Sequence, residues 1–389
     1  MAVGRFPKAN SSKNMQAVYD SLIPQIDAAL PGLDKLHCLL GFDGTVDIIC
    51  KPVEMREGAG DQFEAFSTIR DFGQRVIDAD GKSALIEIVA EREKIGGNGP
   101  IMANALAESG LPVDYIGTLG KPDIHPAYCE FAKRLQVHSV ANPAVTHALE
   151  FSNGKVMLTN TGTYDDVSAE TLEREIGEAM MTRLVEQSKL CCLLNWTCLA
   201  ELNSILVWYL ETILPASCSD PERIFFFDLA DPSMHSDDRI KAVLDHIGHF
   251  SEYGRTILGM NFNETCQVSR VLAIDEPDSE PKSLCQALEA IRSKLGIDCA
   301  MGHPVDFAAC ATANGSWSVV GPHTATPKIT TGAGDHLNAG FGLGMLLGFT
   351  PEDALKLGVL YSGYYVRTAR PPHLNNIVDF IQILKKPSK

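Results

Sequence analysis

The chain has 389 residues, 45% of them hydrophobic, and 33 Lys and Arg against 49 Asp and Glu give a formal charge of −16. That composition is globular and excludes overall disorder, and the length fits one large α/β unit or two to three average domains. The acidity disfavours phosphate backbones and anionic lipid, so no nucleic-acid or membrane partner is expected, and an anionic ligand would need a locally positive site.

The eleven cysteines are odd in number and contain no CxxC spacing, which reads as free thiols in a reducing cytosol. The N-terminus, MAVGRFPKANSSKN, lacks the apolar core of a signal peptide, and no apolar run is long enough to span a bilayer. A soluble, cytoplasmic protein is the expectation.

Taken in chain order, residues 12–30 carry Met15, Val18, Leu22, Ile26 and Ala29 at helical spacing, with Pro24 expected to kink the helix. Residues 1–35 are therefore read as a helical extension to a unit spanning 36–389. Buried strands are predicted at 36–42, 113–118, 189–195, 224–228, 256–260 and 298–302. Helices are predicted near 99–109, 126–136, 168–188, 199–214, 237–250, 283–295, 334–347 and 351–368. This alternation, with strands that are apolar on both faces, predicts a mainly parallel sheet covered on both sides. Two stretches break the rhythm. Residues 145–151 and 155–160 flank the hairpin signal Asn153-Gly154, and residues 83–91 alternate like a strand with one exposed face. They predict a small separate sheet acting as a lid, from segments near 48–95 and 145–160, with a helix inserted at 61–79.

Four segments carry the chemistry. Thr330-Thr331-Gly332-Ala333-Gly334-Asp335 runs into a helical pattern, so its glycines would turn the backbone and leave first-turn amides facing an anion. Asp335 beside that turn suits a general base that removes a hydroxyl proton as the oxygen attacks a γ-phosphate; an ordinary capping Asp at a glycine-rich helix start explains it equally. Gly96-Gly97-Asn98-Gly99-Pro100 opens another helix, either as a plain helix start or as backbone and an Asn meeting a polyol. Asp43 and Asp47 follow the first strand, where open α/β sheets bind ligands; they read as acceptors for sugar hydroxyls or as a solvated turn. Asn261 and Glu264, three apart at a strand-to-helix transition, can face a hydrated magnesium ion, although a first-turn Glu is favoured in any helix. There is no GxxxxGK[ST], HExxH or GxSxG motif, Leu337 occupies the third glycine position of GxGxxG, and HIGH at 246–249 falls late in a predicted helix.

In this order, the four segments resemble the ribokinase-like (PfkB) carbohydrate kinases over about residues 36–385. The resemblance implies a three-layer αβα ribokinase-like fold with a mainly parallel sheet and a small β-sheet lid. It also implies transfer of the γ-phosphate of Mg-ATP to a hydroxyl of a sugar or related polyol, with ATP and Mg2+ as cofactors. Carried over by position, Asp335 would be the base, and Gly332, Ala333 and Gly334 the anion hole. Asp43, Asp47, Gly97 and Asn98 would hold the sugar, Thr331 and Gly302 the nucleotide, and Asn261 and Glu264 the magnesium through water.

Ile329 stands where the family commonly has Asp before its TxGAGD motif, which argues against potassium activation. The loop Gly302-His303-Pro304-Val305-Asp306 lacks the family's second glycine, so the adenine contacts should differ. The N-terminal segment and the insertion at 52–82 are extra to the pattern and leave room for a homodimer through the lid. A kinase for a nucleoside or vitamin-like alcohol, an ADP-dependent sugar kinase and a non-catalytic sugar-binding regulator are the alternatives on the same fold.

Overall fold

A computed structural model describes residues 18–384. The strands are β1 (His37–Phe42), β2 (Thr45–Arg56), β3 (Phe63–Ala65), β4 (Ile88–Gly96), β5 (Val113–Gly117), β6 (Gln136–Ser139) and β7 (Ala144–Phe151). They continue as β8 (Gly154–Asn160), β9 (Ser188–Leu194), β10 (Ile224–Asp228), β11 (Arg255–Asn261), β12 (Cys299–His303), β13 (Phe307–Thr312) and β14 (Gly315–Val320). The longer helices are α1 (Leu22–Ala29), α2 (Ile69–Ile77), α3 (Asn98–Glu108), α4 (Ala169–Glu175), α5 (Glu178–Gln187) and α6 (Leu202–Trp208). After them come α7 (Asp237–His249), α8 (Phe262–Val271), α9 (Pro281–Leu295), α10 (Ala333–Leu346), α11 (Pro351–Thr368) and α12 (Leu374–Leu384).

The main sheet has nine strands in the order β14-β13-β12-β11-β10-β9-β1-β5-β6. From β12 to β6 every pairing is parallel, and β13 and β14 extend the β12 edge as an antiparallel hairpin. Strict alternation splits the central strands between two cores. Cys38, Leu40, Ile224 and Phe226 face α1, α3, α10, α11 and α12, while Leu39, Phe225 and Phe227 face α4 to α9. Both faces are therefore dry, as the apolar runs predicted. Every parallel strand points its C-terminal end at one edge, so Asp43, Asn195, Asp228, Asn261 and His303 gather there.

The second sheet is the lid. β2 leaves β1 through Asp43 and Gly44, pairs antiparallel with β4 and parallel with β7, and β7 pairs with β8 across the Asn153-Gly154 turn. α2 packs on it through Phe72, whose ring centroid lies 5.7 Å from Phe66 and 5.4 Å from Phe151.

Several predicted boundaries moved. The lid strand expected at 83–91 forms at Ile88–Gly96, because pairing of Thr45 with Gly96 sets its register; Leu85 is left 88% exposed. The inserted helix begins only at Ile69, after β3, where Thr68 caps it. The helix expected at 126–136 shrinks to short turns, and Gln136–Ser139 becomes the edge strand β6. The helix expected at 168–188 breaks at Gly177, which takes φ 83°, into α4 and α5. Within 12–30 the described helix starts at Leu22, so Pro24 falls in its first turn, where its missing N–H costs nothing; residues 12–17 lie outside the described part. Leu22 and Ile26 are fully buried in the body rather than against the lid.

Candidate active site

The TTGAGD segment forms the turn its glycines predict. Gly332 takes φ 89° as the residue preceding α10, a left-handed conformation that a side chain would strain. The Ala333 amide bonds Thr330 O and that of His336 bonds Gly332 O, both at 3.1 Å. Gly334 and Asp335 belong to the same first turn, whose amides have no carbonyl one turn earlier to accept them. Beneath Gly334 stands the His303 imidazole, 3.0 Å from where a Cβ would project; burial lowers this histidine to about 4, so it is neutral at pH 7. The His336 ring stacks on Tyr365 at 3.6 Å, and Tyr365 Oη donates to Thr331 O at 3.2 Å, fixing the turn from behind.

Asp335 remains partly exposed at this turn. Its carboxyl is held well above the ordinary range, first by burial and then by the charges of Asp228 and Asp43; a hydrogen bond from the Asn98 side chain opposes the rise. The Gly-Gly-Asn segment and the TTGAGD segment thus meet: a Cβ on Gly332 would stand 3.4 Å from Ile101 of α3, and the Asn98 side chain on the same helix lowers the Asp335 carboxyl. Gly97, at φ 92°, turns the chain from β4 into α3 and so aims Asn98.

Asp47 is 4% exposed and sits directly across β2–β4 from Lys94, whose Nζ is 3.5 Å from Oδ2. Burial raises its carboxyl, against the opposing charges of Lys94 and Lys155. Lys155, the second residue of lid strand β8, reaches across to donate to Thr331 Oγ1 at 2.6 Å. This bond ties the lid to the TTGAGD turn, and burial lifts Tyr365 to about 12 where it feels both Asp335 and Asp47. Asp43 is placed differently: it is fully buried, and its carboxylate is engaged by protein donors.

Asn261 and Glu264 form a reciprocal capping box on α8. Asn261 Oδ1 accepts the Glu264 amide at 3.0 Å, and Glu264 Oε2 accepts the Asn261 amide at 2.7 Å. Glu264 is 4% exposed and raised by burial, then by Asp228, with Asp231 and Asp335 adding to it. Among the described residues no group of three or more His, Cys, Asp or Glu forms a metal cage. The donor set fits a hydrated cation instead, because Asp228, Glu264 and Asp335 repel one another and a divalent charge among their waters relieves that repulsion. Gly302 lies inside β12, packed on Leu284, Leu288 and Thr265, rather than in an open loop.

Sequence reasoning passed over Asp228, Asn195 and Lys155 as individual residues. Asp228 ends the run IFFFD and could have been found by the strand-end rule used for Asp43. Its Oδ2 accepts from Asn338 Nδ2 at 2.6 Å, which no spacing signals.

A family model described as prokaryotic ketohexokinase matches residues 20–383. The chain belongs to that family. The ketohexokinase of Haloferax volcanii is 28% identical over 350 residues, covering 90% of this chain and 91% of that protein. Phosphofructokinase-2 from Escherichia coli, in a mutant form, superposes with a TM-score of 0.63 at 12% identity, over 91% of this chain and 100% of that one. Arabidopsis thaliana ribokinase complexed with ribose and ATP gives 0.60 at 16%, over 90% and 99%. At such identities these structures show the fold alone, and it is the ribokinase-like fold expected. This ketohexokinase-family chain is a sugar kinase of the ribokinase class, an ATP-dependent carbohydrate kinase. No helix among the described residues is long and apolar enough to cross a membrane.

Proposed function

We propose that the protein phosphorylates a ketohexose with ATP, using Asp335 as base. The ketohexokinase family match supports the acceptor, and the packing of the Asn98 helix against the start of α10, beneath a lid that carries Asp47, supports the chemistry. Asp47 accepts hydrogen bonds from sugar hydroxyls, with Gly97 and Asn98 completing the sugar side. As the acceptor oxygen bonds to the γ-phosphorus, its proton passes to Asp335 and the bond from phosphorus to the β,γ-bridging oxygen breaks, releasing ADP. The amides at Gly332 and Gly334 take the developing phosphoryl charge, joined by that of Ala333 once it turns from Thr330 O, Lys155 adds a cation from the lid, and Thr331 lies beside them on the nucleotide side. Magnesium, held through water by Asn261 and Glu264 with Asp228 nearby, would neutralise the nucleotide's phosphates. The closed lid keeps water from competing for the γ-phosphate.

The acceptor is read as unphosphorylated because Lys94 is paired with Asp47 and Lys155 stands at Thr331, on the side of the transferring phosphoryl group. Large exposed apolar side chains on the lid, among them Met55, Ile88 and Leu158, support a homodimer through that sheet, which the sedimentation of the purified chain tests. The function itself is tested by ADP release from ATP with ketohexoses, aldohexoses, sugar phosphates and nucleosides, with ADP offered as an alternative donor. Turnover restricted to free ketohexoses and ATP is expected. Stabilisation by sugars without turnover by any donor would replace this reading with a sugar-binding regulator.

A further inference from the structure

Asp43 lies four residues before Asp47 but serves a different surface. Its Oδ1 accepts the Gly99 amide at 3.0 Å and lies 3.2 Å from the Tyr115 hydroxyl, which is also 2.6 Å from the Asp43 carbonyl. Its Oδ2 accepts from Asn195 Nδ2 at 2.8 Å. The start of α3 is wrapped closely around this carboxylate: a Cβ on Gly97 would stand 2.5 Å from Oδ2, and one on Gly99 would collide with Oδ1 and the Tyr115 hydroxyl. Burial pushes the Asp43 carboxyl up to about 6 in spite of these donors.

A buried carboxylate is a costly way to cap a helix that a Ser or Asn at the preceding position would cap from within. It does something that such a cap would not: it ties α3 to the sheet. Asn195 leaves β9, the parallel neighbour of β1, with φ 59°, and its own amide bonds Asp228 O at 2.9 Å. The ends of β1, β9 and β10 are thereby connected to the residue next to Asn98, on a helix whose Ile101 lies 3.4 Å from where a Cβ on Gly332 would stand and whose Asn98 side chain lowers the Asp335 carboxyl. We propose that Asp43 and Asn195 are positioning residues for phosphoryl transfer, pinning the N-terminus of α3 so that Asn98 stays on the Asp335 carboxylate. The inference rests on the reading of Asp335 as base.

Steady-state kinetics with ATP and a ketohexose test it. In Asn195→Ala, Asp43 Oδ2 loses its donor; kcat falls about 10- to 100-fold and the sugar KM rises by less, since Asn98 shifts while Asp47 is untouched. Asp43→Ala shows the same split, at least as large. Asp43→Asn recovers most of the turnover, because Asn195 Oδ1 has no partner and a flip of its amide offers that oxygen to the new NH2 group. Circular dichroism establishes that each variant is folded; if Asp43→Ala is not, Asn195→Ala and Asp43→Asn carry the comparison. Three results overturn the proposal: kcat within about 3-fold of the parent in Asn195→Ala, no recovery in a folded Asp43→Asn, or a raised sugar KM at unchanged kcat, which would make Asp43 a sugar ligand. Asp335→Asn measured alongside separates the two readings. Turnover retained there removes the base assignment itself, whereas an inactive Asp335→Asn beside a fully active Asn195→Ala removes only the positioning role.

Discussion

Asp335 concentrates the electrostatic tension of the site. Burial, Asp228 and Asp43 all raise its carboxyl, and Glu264 and Tyr365 lie within its field, while Asn98 alone among its named side-chain influences lowers it. As the proposed base, Asp335 works only when ionised, so kcat/KM should rise with pH through a value above the ordinary carboxylate range. In Asn98→Ala that acid limb should move higher still, because the lowering hydrogen bond is gone; a pH–rate profile of both proteins reads the shift. The same shift bears on stability. A folded-state pKa above the unfolded value means that stability falls as pH rises through that interval, leaving the native state penalised at pH 7. Asp335→Asn should therefore abolish most turnover and yet raise Tm by about 1–3 °C at pH 7, a gain that disappears below the unfolded carboxylate pKa. Thermal denaturation at the two pH values checks it.

Among elements, β8 is the one whose role the sequence least revealed. Its hairpin was legible from Asn153-Gly154, but the direction of Lys155 was not, because an exposed edge strand carries no burial pattern to orient its polar residues. Lys155→Met should lower kcat about 10-fold with Tm unchanged, since it removes a hydrogen bond between lid and turn and leaves the core packing intact; kinetics and a melting curve distinguish the two. The hairpin of β13 and β14 shows the reverse case. Asn314-Gly315 is the same signal, yet FAACAT and GSWSVV are rich in small residues and lack the bulky apolar runs that marked most other main-sheet strands. Their small side chains suit strands pressed beneath α9 and α11, which only the assembled layers show. α8 is the instructive middle case: Asn261 and Glu264 were legible as a helix start, and as such they form a capping box, with any role toward a nucleotide added to that.

For the molecule as a whole, the segment before β1 is part of the body. Tyr19 Oη donates to Val320 O at 2.7 Å, Gln25 Nε2 to Asp353 at 3.1 Å, and Ile26 is fully buried in the core shared with α11 and α12. Ile26→Ala should cost about 2–4 kcal/mol, read as a lower denaturant midpoint, with KM for sugar and nucleotide unchanged because the packing is remote from the lid. The net charge of −16 is likewise a property of the whole surface, and the site escapes it locally through the backbone amides at the start of α10 and through Lys94 and Lys155.

By itself, the sequence determined the parallel sheet, the lid and the two glycine turns, because apolar periodicity and backbone freedom are local properties that survive without neighbours. Only the tertiary structure decided which polar residues line the proposed site and which face one another. Asp43 and Asp47, four residues apart, have the same chemistry and both follow the first strand. Asp43 enters a ring of protein donors from α3, β5 and β9, and Asp47 meets the lid lysines. Nothing local separates them, because the groups that settle a buried carboxylate's role arrive from strands and helices far away in the chain.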